Sequence, residues 1–364
     1  MTIVKVAKHA GVSTATVSRV LNNFPHVGAE TARQVRASAE ALNYTIPAIY
    51  KRARGRGVGR PNTSRRRTNS IAILTIGQTR DWLQLPVMAA AVAGISRAAR
   101  EHGLRLVIDE QLDLAKPPNS ITNHGADGAI VFVPNSVSGA DPQVSLLSLK
   151  AHLPIVRVMG SSTGVGVVDH ICVDHHAIGC LALDFLGSRG CQQVAVLTMD
   201  PAWHLMRRRW HAFAGAAYDK HIAASSYILS QDPALADLYG PHTVIDNVLE
   251  SLVSRLVKSK PRPAGLFVSN DAAVVQVYPL LQRMGVQPGR DITIISCDNE
   301  DIRLCSLNPR PASIDPRSEE VGWRAVRQLM SRLENSDEPP IHINVTPRLT
   351  VPAPTPDEAA APTA

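Results

Sequence analysis

The stretch GVSTATVSRVLNN, residues 11–23, has the pattern of a short helix with one narrow apolar stripe. Val17, Val20 and Leu21 recur at helical spacing, and Ser13 stands where an N-cap is expected. The other positions carry mostly small and hydroxyl-bearing residues. A helix that enters the DNA major groove needs such residues at its leading end, because bulky side chains would keep it away from the base edges. The stretch therefore predicts a DNA recognition helix.

Further helices are predicted on both sides of this stretch. Apolar residues share one helical face from Ile3 to Ala10, Gly11 then ends that helix, and a third helix is expected from Glu30 to Leu42. Three short helices with a tight turn between the first two form a helix-turn-helix. An ordinary three-helix bundle is the alternative, but it has no need for a face of small polar residues.

Charge is distributed unevenly along the chain. The net charge is +7, yet residues 1–69 hold thirteen Lys and Arg against only Glu30 and Glu40, so the rest is mildly acidic. A basic head on an acidic body is typical of a polyanion-binding module joined to another domain. A solvated basic tail would account for residues 51–67 but not for the patterned residues before them.

The segment VKVAKHAGVSTATVSRVLNNFPHVGAETARQVRASAEALNY, residues 4–44, resembles the DNA-binding head of the lactose-repressor (LacI/GalR) family. The matching pieces include VAKHAGVS, TVSRVLNN and the closing LNY. The resemblance implies an all-α helix-turn-helix domain over residues 1–44 that binds double-stranded DNA. It implies that Thr14, Ala15 and Arg19 read the bases. The phosphate contacts that it implies come from Ser13, Thr16, Ser18 and Asn22.

Residues 45–69, TIPAIYKRARGRGVGRPNTSRRRTN, depart from the family pattern of a Pro-Asn pair and a hinge helix with an inserting Leu. Pro47 comes one residue late and an Arg stands at the Leu position. Three interpretations stay open: a flexible basic linker, a modified hinge helix over 47–54, and an arm that lays Gly59-Arg60-Pro61 along the minor groove. Because the segment holds eight basic residues and no acidic one, DNA contact and steep salt dependence are expected. The expected contacts are Arg52, Arg54, Arg56 and Arg60.

Residues 70–351 alternate strand-like and helix-like segments. SIAILTI, GAIVFVP, QVAVLTM and ITIISCD have the pattern of buried strands, and residues 84–102 that of a helix with Val87, Ala91, Ile95 and Ala98 on one side. Short apolar strands between helices favour parallel sheets covered on both faces, so the core is predicted to be α/β with two sheets.

The resemblance extends into this core through VDHHAIGCLALDFLGSRGCQQVAVL and GLFVSNDAAVVQVYPLLQRMGVQPGRDITIISCDN. It implies a fold like that of periplasmic sugar-binding proteins, with two α/β lobes and a small molecule bound between them. The lobes are expected at about 70–171 with 313–338, and at about 172–312 with 339–351. The last residues, 352–364, are expected to be a disordered tail.

Candidate effector-binding residues follow from the same resemblance. RWHAF, residues 209–213, resembles the family's Arg-x-x-Gly-Phe with Ala212 for Gly, so Arg209 corresponds to its effector-binding Arg. Asp271, after the strand GLFVSN, corresponds to its ligand-accepting Asp. Without the resemblance, a surface charge and a helix cap are the ordinary explanations of these two residues. Further cleft residues are expected at Asp81, Trp82, Gln84 and Trp203.

Other functions find less support in the sequence. GSSTG, residues 160–164, fits Gly-x-Ser-x-Gly, but the β-branched residues after it do not open the helix that a nucleophile elbow requires. No phosphate-binding Gly-rich motif occurs and the five cysteines lack ligand spacing, so neither an enzyme nor a metal or cofactor is expected. The chain has no membrane-length apolar run and no secretory signal, which favours the cytoplasm.

Together these features predict a bacterial transcriptional repressor. The family and the short reach of one head imply a homodimer on a near-palindromic operator, controlled by a small molecule, a sugar by resemblance. Two alternatives stay open: a solute-binding protein, and an architectural DNA binder whose cleft has lost its ligand.

Overall fold

The computed structural model describes residues 3–21, 28–42, 68–113, 116–123, 125–133, 142–160, 167–198, 204–228 and 246–352. The chain divides into two compact units, residues 1–66 and 67–364. Several predicted elements lie outside the described residues: Asn22, Ser162, Trp203, the linker with Arg52, Arg54, Arg56 and Arg60, and all of the predicted tail but Pro352.

The first unit contains the three predicted helices, α1 (Ile3–His9), α2 (Thr14–Leu21) and α3 (Ala29–Ala41). Gly11 turns the chain between α1 and α2 with a positive φ of 64°, which glycine adopts without a Cβ penalty. Val6, Val17 and Val35, one from each helix, are fully buried together. The sequence prediction of three short helices around one small core is confirmed.

The second unit alternates helices and strands from residue 70 onward. Its helices are α4 (Pro86–Glu101), α5 (Asn119–Thr122), α6 (Pro142–Lys150), α7 (His175–Ser188), α8 (His204–Asp219), α9 (Asp246–Lys258), α10 (Asp271–Arg283), α11 (Asp301–Leu304) and α12 (Ser318–Glu334). Its strands are β1 (Ser70–Ile76), β2 (Arg105–Gln111), β3 (Gly128–Phe132), β4 (Ile155–Val158), β5 (Asp169–Val173), β6 (Gln193–Thr198), β7 (Ala223–Ile228), β8 (Gly265–Val268), β9 (Thr293–Cys297), β10 (Ala312–Asp315), β11 (His342–Val345) and β12 (Arg348–Thr350). A 3-10 helix, Arg80–Gln84, precedes α4.

The strands form two six-stranded sheets, each at the centre of one lobe. Their orders are β11-β5-β4-β3-β1-β2 and β12-β10-β9-β8-β6-β7. Within the described ranges the pairs are parallel except β10 with β12. The predicted pair of parallel α/β sheets is confirmed, as is the buried side of α4, where Ala91, Ile95 and Ala98 are fully buried.

The predicted lobe boundaries are wrong at the C-terminal side. β10, assigned to the first lobe from the sequence, pairs with β9 in the second sheet, whereas β11, assigned to the second lobe, pairs with β5 in the first. The end of β5 also belongs to the first sheet rather than the second. Four-residue apolar strands carry no mark of the sheet they join, so only the pairing reveals where the chain crosses. The three crossings follow β5, β10 and β11.

Close helix pairs hold each lobe together. Gly94 on α4 and Gly322 on α12 face the partner helix so closely that a Cβ on either would lie within 2 Å of a backbone oxygen. On the second lobe, a Cβ at Gly179 of α7 would lie 2.7 Å from the Ala212 Cβ on α8. Ala212, where the family pattern has Gly, thus packs closely against Gly179 of the opposing helix. The tight α7–α8 pair fixes the position of Arg209.

No helix in the described part of the chain combines the length and the apolar character that a membrane crossing requires.

Candidate functional site

The N-terminal end of α2 is the candidate DNA-binding surface of the head. Ser13 Oγ accepts a hydrogen bond from the Thr16 backbone N at 3.1 Å and lies 2.9 Å from Thr16 Oγ1. Ser13 and Thr14 are exposed, Thr16 is half-buried, and the first turn has no acidic residue. The positive end of the helix dipole and these hydroxyl groups suit a phosphate oxygen. The side chains of Ala15, Ser18 and Arg19 lie outside the description, so their predicted roles remain predictions.

The head also carries exposed cations. Lys5 and Lys8 on α1 are exposed. Arg33 is held by Glu30 at 2.8 Å, with both side chains largely exposed, so this ion pair adds little stability. The exposed lysines supply the positive charge that non-specific attraction to a phosphate backbone requires.

The candidate ligand site of the core is built around Arg209 on α8. Its guanidinium is buried and donates from Nε to His175 Nδ1 at 3.2 Å and from one Nη to Asp298 Oδ1 at 3.2 Å. The other Nη donates to the backbone oxygen of Ser269. His175 directly follows the first crossing, and Ser269 and Asp298 directly follow β8 and β9. Arg209 therefore ties the crossing to the carboxyl ends of two strands, where α/β folds bind ligands.

The backbone at the end of β9 has an unusual conformation. Asp298 and Asn299 have positive φ angles of 109° and 51°. Non-glycine residues in this region cost free energy and tend to occur where function holds them. The conformation sets the Asp298 carboxylate beside Arg209.

Burial governs the protonation of this network. Burial, followed by the charge of Arg209, holds the pKa of His175 well below its usual range. The ring is therefore neutral, as acceptance of the Arg209 Nε–H bond requires. Burial raises the pKa of Asp298, while Arg209 opposes that rise by favouring the carboxylate. The Arg209 charge is thus balanced inside the protein.

Asp271, the second residue predicted to bind the effector, is held by hydrogen bonds within the second lobe, and its role as a ligand acceptor stays a prediction. The residue is fully buried at the start of α10. Its carboxyl accepts hydrogen bonds from Ser296 Oγ, from Ser313 Oγ at 3.1 Å and from the Glu300 backbone N at 2.7 Å. Burial, and then Asp298, raise the pKa of Asp271 to about 7. The Asp271 carboxyl thus connects β9, β10 and the 298–300 loop.

The residues predicted after β1 lie on the 3-10 helix. Gln84 Nε2 donates to Asp81 Oδ1 at 3.1 Å, and both residues are exposed. Trp82 is half-buried and packs edge-on against Phe132, with ring centroids 6.5 Å apart. The Trp82 ring thus packs mainly against the core of the first lobe.

A cavity of about 380 Å³ opens between the two lobes. Its walls come from α4 and the start of α12 on one side and from the ends of β9 and β10 on the other. Asp298, Asn299 and Glu300 line it, whereas Asp81, Trp82, Gln84, Arg209 and Asp271 are not among its lining residues. Several charged groups at its wall are paired, such as Asp315 with Arg348 at 3.0 Å.

Asp298 and Asn299 are the residues that sequence reasoning missed. Both SND at 269–271 and CDN at 297–299 place polar residues directly after a buried strand. The two segments therefore have the same pattern, which is typical of a ligand site, and the sequence does not distinguish them. The structure distinguishes them by their partners, because Asp298 pairs with Arg209, whereas Asp271 accepts hydrogen bonds from Ser296 and from the Glu300 backbone.

Family models match two parts of the chain. The model described as "Bacterial regulatory proteins, lacI family" matches residues 2–46, and the "Periplasmic binding protein-like domain" matches residues 183–352. Together they cover the head and all of the second lobe except the start of α7.

Curated relatives align along nearly the full chain. The ribose operon repressor of Haemophilus influenzae is 25% identical over 342 residues, 93% of each chain. The transcriptional repressor PurR of Aliivibrio fischeri MJ11 is 26% identical over 342 residues, 92% of this chain and 93% of its own.

Solved structures share the fold. The transcriptional regulator CelR in complex with cellobiose superposes with a TM-score of 0.59 at 20% identity, covering 96% of this chain and 98% of its own. The Lac repressor dimer bound to operator and the anti-inducer ONPF gives a TM-score of 0.58 at 21% identity, with the same coverage.

Proposed function

Because the chain belongs to the LacI family of bacterial regulatory proteins, we propose that it is a DNA-binding transcriptional repressor controlled by a small-molecule effector. One observation carries the proposal: a lacI-type helix-turn-helix head precedes a two-lobed core in the same chain. A solute-binding protein would have no use for the head. The core supplies what a head alone lacks, a cleft whose closure responds to a ligand.

The proposed DNA contacts start from α2. Thr14 and Ala15 at the start of the helix read base edges with Arg19, while Ser13, Thr16, Ser18 and Asn22 hold phosphates. The exposed N-terminal hydroxyls of α2 and its lack of acidic residues support this assignment. Arg52, Arg54, Arg56 and Arg60 of the linker add contacts to the backbone or the minor groove.

The proposed effector is a neutral, hydroxyl-rich small molecule, such as a sugar. Arg209 already has a carboxylate partner in Asp298, so a charged ligand would find no unbalanced opposite charge at this point. Asp298 and Asn299 line the cavity, and their carboxylate and amide groups can accept hydrogen bonds from hydroxyl groups and donate to them, which suits such a ligand. Two of the similar proteins carry the name of a sugar, the ribose operon repressor and the CelR–cellobiose complex.

The proposed active form is a homodimer in the cytoplasm without enzymatic activity. One small head covers too few base pairs to be selective among genomic sites, so two heads on successive half-sites are needed. The charges of Arg209 and Asp298, and of Asp315 and Arg348, are paired with one another, which supports a binding role for the core.

Selection of DNA from a random pool by the full-length protein tests the proposal. The parent should enrich a near-palindromic sequence. The exchange Thr14→Ala with Ala15→Thr should change the enriched bases, because these residues face base edges. Thr16→Ala should weaken binding about equally on all sequences, since a phosphate contact carries no sequence information.

Thr31→Ala on α3 is the matched control, since Thr31 is half-buried like Thr16 and should leave the enriched sequence unchanged. Failure of the parent to enrich any sequence would overturn the function, and an unchanged consensus in the exchange variant would overturn the reading of α2.

A further inference from the structure

A cluster of nitrogen and sulfur ligands lies on one face of the first sheet, away from the Arg209 site. Side chains alternate along a strand, so His170 and Cys172 of β5 point to the same face. The parallel register sets His342 of β11 opposite His170 and Asn344 opposite Cys172. Residues that are about 170 positions apart in the chain thus meet at the sheet edge. His170, Cys172 and His342 form what we call the Cys172 cluster.

The distances in this cluster are those of a nearly assembled metal site. One ligand atom from each of its three residues lies within 4.8 Å of the others, and Cys172 Sγ is 3.1 Å from His342 Nε2. Ligands of one tetrahedral or trigonal ion with bonds of about 2.0–2.3 Å are themselves under about 4 Å apart. An inward movement of less than an ångström and a turn of the exposed His342 ring, now stacked on His170 at 4.9 Å, would close the set.

A second observation concerns the orientation of His170. Its Nε2 lies 2.7 Å from the backbone oxygen of Met159, itself in a left-handed conformation with φ of 57°. A donated Nε2–H leaves Nδ1 as the lone-pair nitrogen. Metal-binding histidines are held in this way, with the distal ring nitrogen donating to a carbonyl.

The surroundings favour a soft ion of low charge. The positive charges of Arg157 and Arg208 lie close enough to interact electrostatically with both His170 and His342. The site therefore already lies in a positive field. A Cys172 thiolate cancels the charge of a monovalent ion, whereas a divalent ion would leave a net positive charge beside the two arginines. Thiolate with imidazole in a three-ligand arrangement is a set that Cu⁺ accepts.

We propose that His170, Cys172 and His342 form a binding site for a thiophilic monovalent ion, Cu⁺, on the first lobe. On binding, the Cys172 thiol releases its proton to solvent and a copper–sulfur bond forms, with no change of oxidation state. Asn344 Oδ1 accepts a hydrogen bond from the Cys172 thiol at 3.0 Å. On ion binding it loses that hydrogen bond and turns toward solvent.

The position of the site gives it a regulatory consequence, which rests on the proposed function. β5 runs directly into α7 of the second lobe, and β11 runs directly into β12 of the second sheet. An ion at the Cys172 cluster therefore cross-links two of the three crossings between the lobes. An ion that binds more tightly at one angle between the lobes than at another changes the operator affinity. The change is set by the ratio of the ion's affinities for the two conformations.

The test is competition for Cu⁺ between the full-length reduced protein and a chromophoric Cu⁺ chelator without oxygen. A Cys180→Ser/Cys305→Ser variant removes the two less buried thiols and should retain one tightly bound Cu⁺ per chain. Adding Cys172→Ser should abolish that binding. Adding His342→Gln instead should weaken Cu⁺ binding by more than ~100-fold, because loss of a ligand costs more affinity than loss of a hydrogen bond that supports a ligand.

His342 is largely exposed on an edge strand, so this variant keeps the fold even where Cys172→Ser disturbs it. His176→Gln, beside Cys180 at 3.6 Å, is the control histidine and should leave Cu⁺ affinity unchanged. Retained affinity in His342→Gln, or tighter binding of Zn²⁺ than of Cu⁺, would overturn the proposal. Because this readout needs no DNA, a failure here is distinct from a failure to bind an operator.

Discussion

The Arg209–Asp298 pair should stabilise the core even without ligand. Both side chains are buried, at 4% and 10% exposure, and Nη–Oδ1 is 3.2 Å. Arg209→Met leaves the Asp298 carboxylate without its cation, and the His175 ring and the Ser269 carbonyl without a donor. Removal of one partner of a buried pair costs about 3–5 kcal/mol, so the free energy of unfolding of the core should fall by that amount.

A double-mutant cycle isolates the pair. Asp298→Asn keeps the shape and suits the positive φ, yet strands the Arg209 charge, so it should cost about as much as Arg209→Met. The double variant contains neither buried charge and should lose at least about 2 kcal/mol less than the two single losses combined.

Urea unfolding at pH 7, followed by circular dichroism of the full-length protein, gives these values. Arg207→Met, two residues earlier on the same helix and half-exposed, is the control and should stay within about 0.5 kcal/mol of the parent. Additive single losses, or an Arg209→Met variant as stable as the control, would refute the buried pair as the base of the site.

Three further outcomes are expected. Gly322→Ala should destabilise the first lobe by about 1–3 kcal/mol or more in urea unfolding, because its Cβ would lie 1.9 Å from the Ala91 oxygen. Gly215→Ala, with nothing within 4 Å, should be neutral or stabilising, and equal effects would contradict the close crossing. Asp271, with a folded pKa of about 7, binds a proton that the unfolded chain releases near pH 4, so the parent loses stability relative to Asp271→Asn as pH rises between these values. The measurement is the urea midpoint of the parent and of Asp271→Asn at pH 4.5 and at pH 7. A difference between the two proteins that is the same at both pH values would exclude that pKa shift. Replacing five linker arginines by Gln should lower the slope of log K against log salt by about 0.9 per lost phosphate contact, and an unchanged slope would remove the linker from the DNA interface. The five are Arg56, Arg60, Arg65, Arg66 and Arg67.

Local patterns predicted the elements well. The apolar spacing of Val17 and Val20 identified the buried side of α2, and that of Ala91 and Ile95 the buried side of α4. These predictions succeed because a helix imposes its period on the residues that it buries.

Features that depend on pairing between distant segments were beyond the sequence. The swap of β10 and β11 between sheets, and the pairing of Arg209 with Asp298, follow from contacts across the fold rather than from local spacing. The same holds for the Cys172 cluster, since no spacing rule links His170 to His342 until the register of β5 and β11 is known.

The most direct test of the account is the operator affinity of the full-length protein, measured by fluorescence anisotropy with and without each ligand that raises its melting temperature. Neutral sugars are the first compounds to screen, since a ligand at about 100 times its Kd stabilises by about 2.7 kcal/mol. We expect a ligand that changes the operator Kd by about 5–150-fold, the usual range of coupling between sites. A ligand that stabilises the core while the operator Kd stays the same would contradict the claim that the cleft controls the heads.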